Sequence, residues 1–167
     1  MRYINSFLDN RRETVKINKY PAAHADQIRL YAQYTLQIDK PTQVIINAGS
    51  NDVSYDMWNG GANPEIITER VLNIARDARA ASVQHIYISG LMQRKGWQYK
   101  EIIDEINLRL RVRCIAEQFH FDINGNINLS DLSDGLHLNQ QGNRKFIKNL
   151  LQCCHSYNPY LNADAEY

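Results

Sequence analysis

The chain has 167 residues, a formal net charge of +1, 44% hydrophobic residues and 22% charged ones, the composition of an ordinary globular domain. With 19 Lys and Arg against 18 Asp and Glu it has no broad electropositive field, which argues against nucleic acid or an anionic membrane surface as partner. A chain this long buries about two-thirds of its unfolded surface, so a single domain over residues 1–167, resting on packing alone, is expected, with 157–167 a loosely held tail.

No apolar run approaches the roughly 20 residues of a membrane span. The start, Met1-Arg2-Tyr3-Ile4-Asn5-Ser6, lacks the apolar centre of a signal peptide, so a cytoplasmic or virus-associated location is expected. Cys114, Cys153 and Cys154 form an odd set whose adjacent pair bridges itself only with strain, so reduced thiols are expected.

In chain order, Met1 to Arg12 reads as a helix with Ile4, Phe7 and Leu8 on one face. Thr14 to Tyr20 alternates like a strand and is ended by Pro21. Asp26 to Ile38 has helical spacing and is closed by Pro41. Thr42 to Ala48, with Val44, Ile45 and Ile46 consecutive, predicts a strand covered on both faces, stopped by Gly49.

After a loop at Trp58-Asn59-Gly60-Gly61, Pro64 opens a helix to about Ser82 with the stripe Ile67, Val71, Ile74 and Ala78. His85 to Leu91 predicts a strand, and Tyr99 to Gln118 a helix with Ile102, Ile106, Leu110 and Ile115 inward. Phe119 to Ile123 predicts a short strand. Asp122 to Gly135 is turn-rich, and Asn139 is placed to cap a last helix carrying Phe146, Ile147, Leu150 and Leu151. Strands alternating with helices, without repeat or linker, predict an α/β domain with a parallel sheet.

Two polar segments stand where open α/β sheets build their sites, after a strand or before a helix. In Asp134-Gly135-Leu136-His137-Leu138-Asn139 a carboxylate three residues ahead of an imidazole can reach its Nδ1–H, fixing the tautomer and supporting the imidazolium, which is half of a catalytic triad. In Gly49-Ser50-Asn51-Asp52, Asn51 offers an amide donor for an oxyanion forming on an acyl carbon, while Asp52 ties the loop down. Trp58, Trp97 and Tyr99, read as loop residues, are candidates to line a sugar or acyl pocket. Asp122, Asn124, Asn126 and Asn128 alternate like a calcium loop, but Ile127 and Ser133 stand where Gly and Glu belong. No metal site is expected.

On these residues the chain resembles the SGNH, or GDSL-type, hydrolases. Gly49-x-Asn51-Asp52 is similar to the family's third block and Asp134-x-x-His137 to its fifth, each after the appropriate strand. The resemblance implies a flavodoxin-like three-layer α/β/α fold and no cofactor. It implies Asn51 as oxyanion donor, His137 as general base, Asp134 as its orienting acid, and an acyl ester or acetylated sugar as substrate.

Two family features are altered. The nucleophile block Gly-Asp-Ser does not occur. The second-block glycine, a backbone donor in the family, is Ala22, which keeps the N–H and loses glycine's freedom. The chain thus resembles the family from just after its nucleophile block, with the first strand missing or degenerate. An alternative register makes Ser6 the nucleophile, but Phe7 to Glu13 is short for a crossover. A lost central strand implies that two strands pair directly, that a second copy or another chain completes the sheet, or that the segment lies upstream. The expectation is a non-catalytic binding or structural module in a larger assembly. The alternative is an esterase using Asn51, Asp134, His137 and a nucleophile from Ser6 or upstream sequence.

Overall fold

The computed structural model describes residues 16–122 and 124–155. Three parallel strands, β1 (Gln43–Ile46), β2 (His85–Ser89) and β3 (His120–Asp122), lie in the order β1-β2-β3. Val44 stands beside Ile86 and Ile46 beside Ile88 in one ladder, and Ile88 beside Phe121 in the next. The helices are α1 (Ala25–Asp39), α2 (Ser50–Trp58), α3 (Pro64–Ala80), α4 (Trp97–Glu117) and α5 (Gln140–His155), with a 3-10 turn at Leu129–Asp131. Helices connect the parallel strands because such strands cannot be joined by a tight turn.

Helix α3 is the centre of the helical layer, packing on α1, α4 and the first two strands. Its start is set by Asn63, whose Oδ1 accepts from the Glu65 and Ile66 amides at 3.0 and 3.2 Å, and by Pro64 in the first turn. Ile67, Val71, Leu72 and Ala75 are fully buried with Ile88 of β2 and Ile103, Ile106 and Leu110 of α4. Outside this core, Arg76 reaches Glu117 at 2.6 Å and Glu69 at 2.8 Å, fastening α3 to α4. Among the described residues no helix is long and apolar enough to cross a membrane. Cys114 and Cys153 are both buried, and burial pushes the Cys114 thiol up to about 12.

Four expectations are corrected. Residues 16–20 make no strand ladder; Tyr20 stacks on Tyr31 of α1 at 5.2 Å and Lys16 pairs with Asp39 at 2.6 Å. Alternation alone makes no strand where the partner ladder is missing. Ser50 to Trp58 is helical, although its polar run Ser-Asn-Asp offers no apolar stripe. The helix α4 begins at Trp97, two residues before the expected start at Tyr99, so neither ring is carried on a loop. Ile115 is 73% exposed, and the inward stripe of α4 is Ile103, Ile106, Asn107, Leu110 and Cys114. At about 100° per residue, positions 102 and 115 fall on opposite flanks of that stripe. The Met1–Arg12 helix, Thr14, Val15 and the 157–167 tail lie outside the described residues.

Candidate active site

The loops that leave β1, β2 and β3 all start from the carboxyl edge of the sheet, where such sheets hold ligands. At the end of β1 the chain turns through Gly49 at φ +98°, and a side chain there would lie 3.1 Å from Val71 Cγ2. The turn leads directly into α2. Its second residue, Asn51, donates from Nδ2 to the Ala23 carbonyl at 3.0 Å, leaving one amide hydrogen unspent among the described residues. Asp52 is wholly buried, accepts the Ala25 amide through Oδ2 at 2.9 Å and faces Arg70 through Oδ1 at 3.2 Å. It therefore ties α2 to the start of α1 and to α3. Ala22 beside this block holds a left-handed φ of 58°, the conformation glycine adopts freely.

Asp134 and His137 form a closed local unit. Asp134 Oδ1 accepts the His137 amide at 2.7 Å and the Leu136 amide at 2.9 Å, while Oδ2 lies 2.7 Å from His137 Nδ1. The His137 amide, its ring and the Leu136 amide together hold the Asp134 carboxyl far below the usual carboxylate range. Carboxylate contact at Nδ1 favours the tautomer with the hydrogen on Nδ1, making Nε2 the acceptor. The His137 side chain is 74% exposed, and its Nε2 has no hydrogen-bond partner among the described residues.

The 134–138 loop is held from both sides. Leu132 and Leu138 pair across its base, and the Gly135 carbonyl accepts the Lys95 amide at 2.7 Å. A side-chain carbon at Gly135 would lie 2.6 Å from Lys95 Cβ, so only glycine permits this approach. Asn139 then caps α5 by accepting the Gly142 amide at 3.0 Å.

The loop after β2 joins the two blocks through consecutive residues. Lys95 holds Gly135, and Arg94 donates to the Ser54 hydroxyl, to the Ser50 hydroxyl and, at 2.8 Å, to the Ser50 carbonyl. Arg94 is 6% exposed and lies over the Tyr99 ring at 5.2 Å. Nothing in the local sequence marks Arg94, because its role comes from α2, 40 residues earlier in the chain. Desolvation lowers the affinity of its guanidinium for the proton.

A cleft of about 440 Å³ opens beside Asn51, lined by Ala22, His24, Ser54, Tyr55 and Trp58 among others. The structure thus brings Asn51, Ala22 and Trp58 together. Trp58 is 90% and Trp97 82% exposed; Trp97, Tyr99 and His137 are not in the cleft lining. No hydrogen bond joins Asn51 to the dyad. Ser6 lies outside the described residues. The calcium-like alternation turns inward: Asn124 donates to Ser89 Oγ and the Gly90 carbonyl, both at 2.9 Å, and Asn126 and Asn149 exchange amide bonds.

No protein-family model and no curated protein sequence matches the chain. Solved structures do. The M. smegmatis aryl esterase has a TM-score of 0.72 at 14% identity, over 87% of this chain and 79% of that one. A carbohydrate acetylesterase from Sinorhizobium meliloti has a TM-score of 0.72 at 14% identity, over 82% and 75%. A GDSL-like lipase from Bacteroides thetaiotaomicron has a TM-score of 0.70 at 19% identity, over 82% and 73%. This likeness establishes the fold, the α/β fold of the SGNH acylhydrolases and esterases.

Proposed function

We propose that this chain carries an ester-hydrolysing site whose acid–base half is His137 and Asp134, with Asn51 as oxyanion donor and a serine nucleophile for which Ser6 is the candidate. The observation that carries the reading is the 2.7 Å contact between Asp134 Oδ2 and His137 Nδ1, which leaves Nε2 as an exposed acceptor. A serine hydroxyl at Nε2 gives its proton to the imidazole as Oγ bonds to the acyl carbon, and the carbonyl electron pair moves onto oxygen. The unspent Asn51 hydrogen suits that oxyanion. The imidazolium then protonates the departing alcohol, and water repeats the sequence to release a carboxylate. Substrates of this class are acyl esters, acetylated sugars among them.

A second reading, a non-catalytic module in a larger assembly, is favoured by one specific observation. Among the described residues the serine hydroxyls of the Asn51 block, Ser50 and Ser54, are both held by Arg94, and none reaches His137 Nε2. In that reading another copy or a partner chain completes the sheet beside β1, which self-association in solution tests.

The deciding experiment is hydrolysis of p-nitrophenyl acetate by the wild type and by His137→Ala and Ser6→Ala variants purified identically. Turnover lost in His137→Ala supports the hydrolase, and Ser6→Ala then tells whether Ser6 is the nucleophile. Wild type and His137→Ala alike at background overturn it.

A further inference from the structure

Among the described residues, Arg94 is a cation taken out of water with no carboxylate to meet it. It is 6% exposed, its described hydrogen-bond partners are two serine hydroxyls and one carbonyl, and its Nε is buried without a partner. Buried charges are ordinarily paired, because lost hydration must be replaced by an opposite charge or a full set of hydrogen bonds. The half-buried arginines among the described residues follow that rule: Arg29 has Asp77, Arg70 has Asp52, Arg76 has Glu117, Arg109 has Glu105 and Arg113 has Glu69. Arg94 alone among these six has no acid there.

The charge reaches the cleft through one hydroxyl. Arg94 Nη1 donates to Ser54 Oγ, and Ser54 also lines the cleft with Asn51, His24, Tyr55 and Trp58. The Ser54 proton has only a 3.4 Å contact with the Ser50 carbonyl, so it is available to turn toward an acceptor in the cleft. The described lining contains no carboxylate, while Trp58 and Tyr55 are residues 90% and 57% exposed, the Tyr55 ring meeting His24 edge-on at 4.9 Å. Aromatic faces bind flat apolar rings, and a charge-backed hydroxyl favours an anion.

We infer that this cleft is a binding site for aryl carboxylates, with Arg94, acting through the Ser54 hydroxyl, as its charge-selecting residue and Trp58 as its stacking face. The pairing resembles an acid product in a site of the kind proposed above, yet binding does not require turnover and stands independently of it.

The test uses the Trp97→Phe chain, in which Trp58 is the one remaining tryptophan of two. Its emission is followed while benzoate, or its neutral isostere benzamide, is added. Benzoate is expected to change the emission saturably, to bind about tenfold tighter than benzamide, in keeping with a charged hydrogen bond, and to weaken with added salt. Ser54→Ala, which leaves the guanidinium in place, and Arg94→Met are both expected to erase the preference for benzoate, and Arg94→Lys to retain part of it. Equal binding of the two ligands, no response to either, or an unchanged preference in Ser54→Ala overturns the inference. Ser54→Ala keeps the test decisive even where Arg94→Met does not fold. Benzoate binding without ester turnover would leave this site standing and remove the hydrolase.

Discussion

Arg70 and Asp52 meet at 3.2 Å at the point where α1, α2 and α3 converge, with the carboxylate wholly buried and its other oxygen holding the Ala25 amide. Arg70 also reaches Asp26 at 3.1 Å and Asp56 at 3.6 Å, so removing Asp52 leaves a cation with other partners but an orphaned helix amide. Asp52→Ala is expected to cost about 3 kcal/mol, the range for breaking a buried charged pair. Urea unfolding checks this, with the midpoint lowered and the slope unchanged. An unaltered midpoint would show that the three-helix junction is held by packing alone.

Asp134 and His137 are both largely exposed, so their pairing bears on chemistry more than on stability. Asp134→Asn is expected to leave the melting temperature unchanged while shifting the imidazole away from the Nδ1–H tautomer, read from its ring-nitrogen chemical shifts. If the chain hydrolyses esters, the same change should slow turnover by about a hundredfold to ten-thousandfold. Retained turnover would remove Asp134 from the mechanism.

Acid should unfold this protein by protonating a defined set of carboxylates. Arg29 holds Asp77, Arg76 holds Glu117 and Lys145 holds Asp131 below their ordinary values. Groups depressed in the folded state stabilise it above their unfolded values, near pH 4, and that stability is lost as pH falls through the folded values. Asp122 has the opposite sign, since burial raises it and its ionisation above about pH 4 works against folding. Asp122→Asn is therefore expected to raise the melting temperature at pH 7 and to leave it nearly unchanged at pH 3. Equal effects at both pH values would refute the burial argument.

Ala22 carries a left-handed backbone that disfavours any side chain. Ala22→Gly should relieve about 1 kcal/mol of strain, partly offset by the greater freedom of glycine in the unfolded chain. The net gain of a few tenths of a kcal/mol is measurable by urea unfolding. A loss would mean that the methyl group packs in the cleft wall it lines.

The parts legible in the sequence are those governed by local spacing. Val44 to Ile46 and His85 to Ser89 announce buried strands by their apolar runs, Asn63-Pro64 announces the α3 start, and a three-residue offset is enough to bring Asp134 to His137. Helix α2 is hidden because a nine-residue helix that buries little more than Val53 and Met57 is held by its own Asp52 reaching Ala25 and Arg70 and by Arg94 from outside. Thr14 to Tyr20 misled because alternation specifies a face and not a partner. Arg94 was invisible for the same reason that makes it informative: its surroundings are assembled by the fold from residues far away in the chain.

The buried amide ladder has a consequence for how this protein ages. Asn124 is followed by Gly125, the pairing most open to spontaneous deamidation, since an unhindered glycine amide attacks the neighbouring side-chain carbonyl readily. In the folded chain that side chain is clamped by Ser89, Gly90 and Asn149 and cannot swing back onto its own backbone. Conversion of Asn124 to aspartate or isoaspartate then proceeds only from unfolded molecules, so its accumulation during storage is a chemical clock of unfolding.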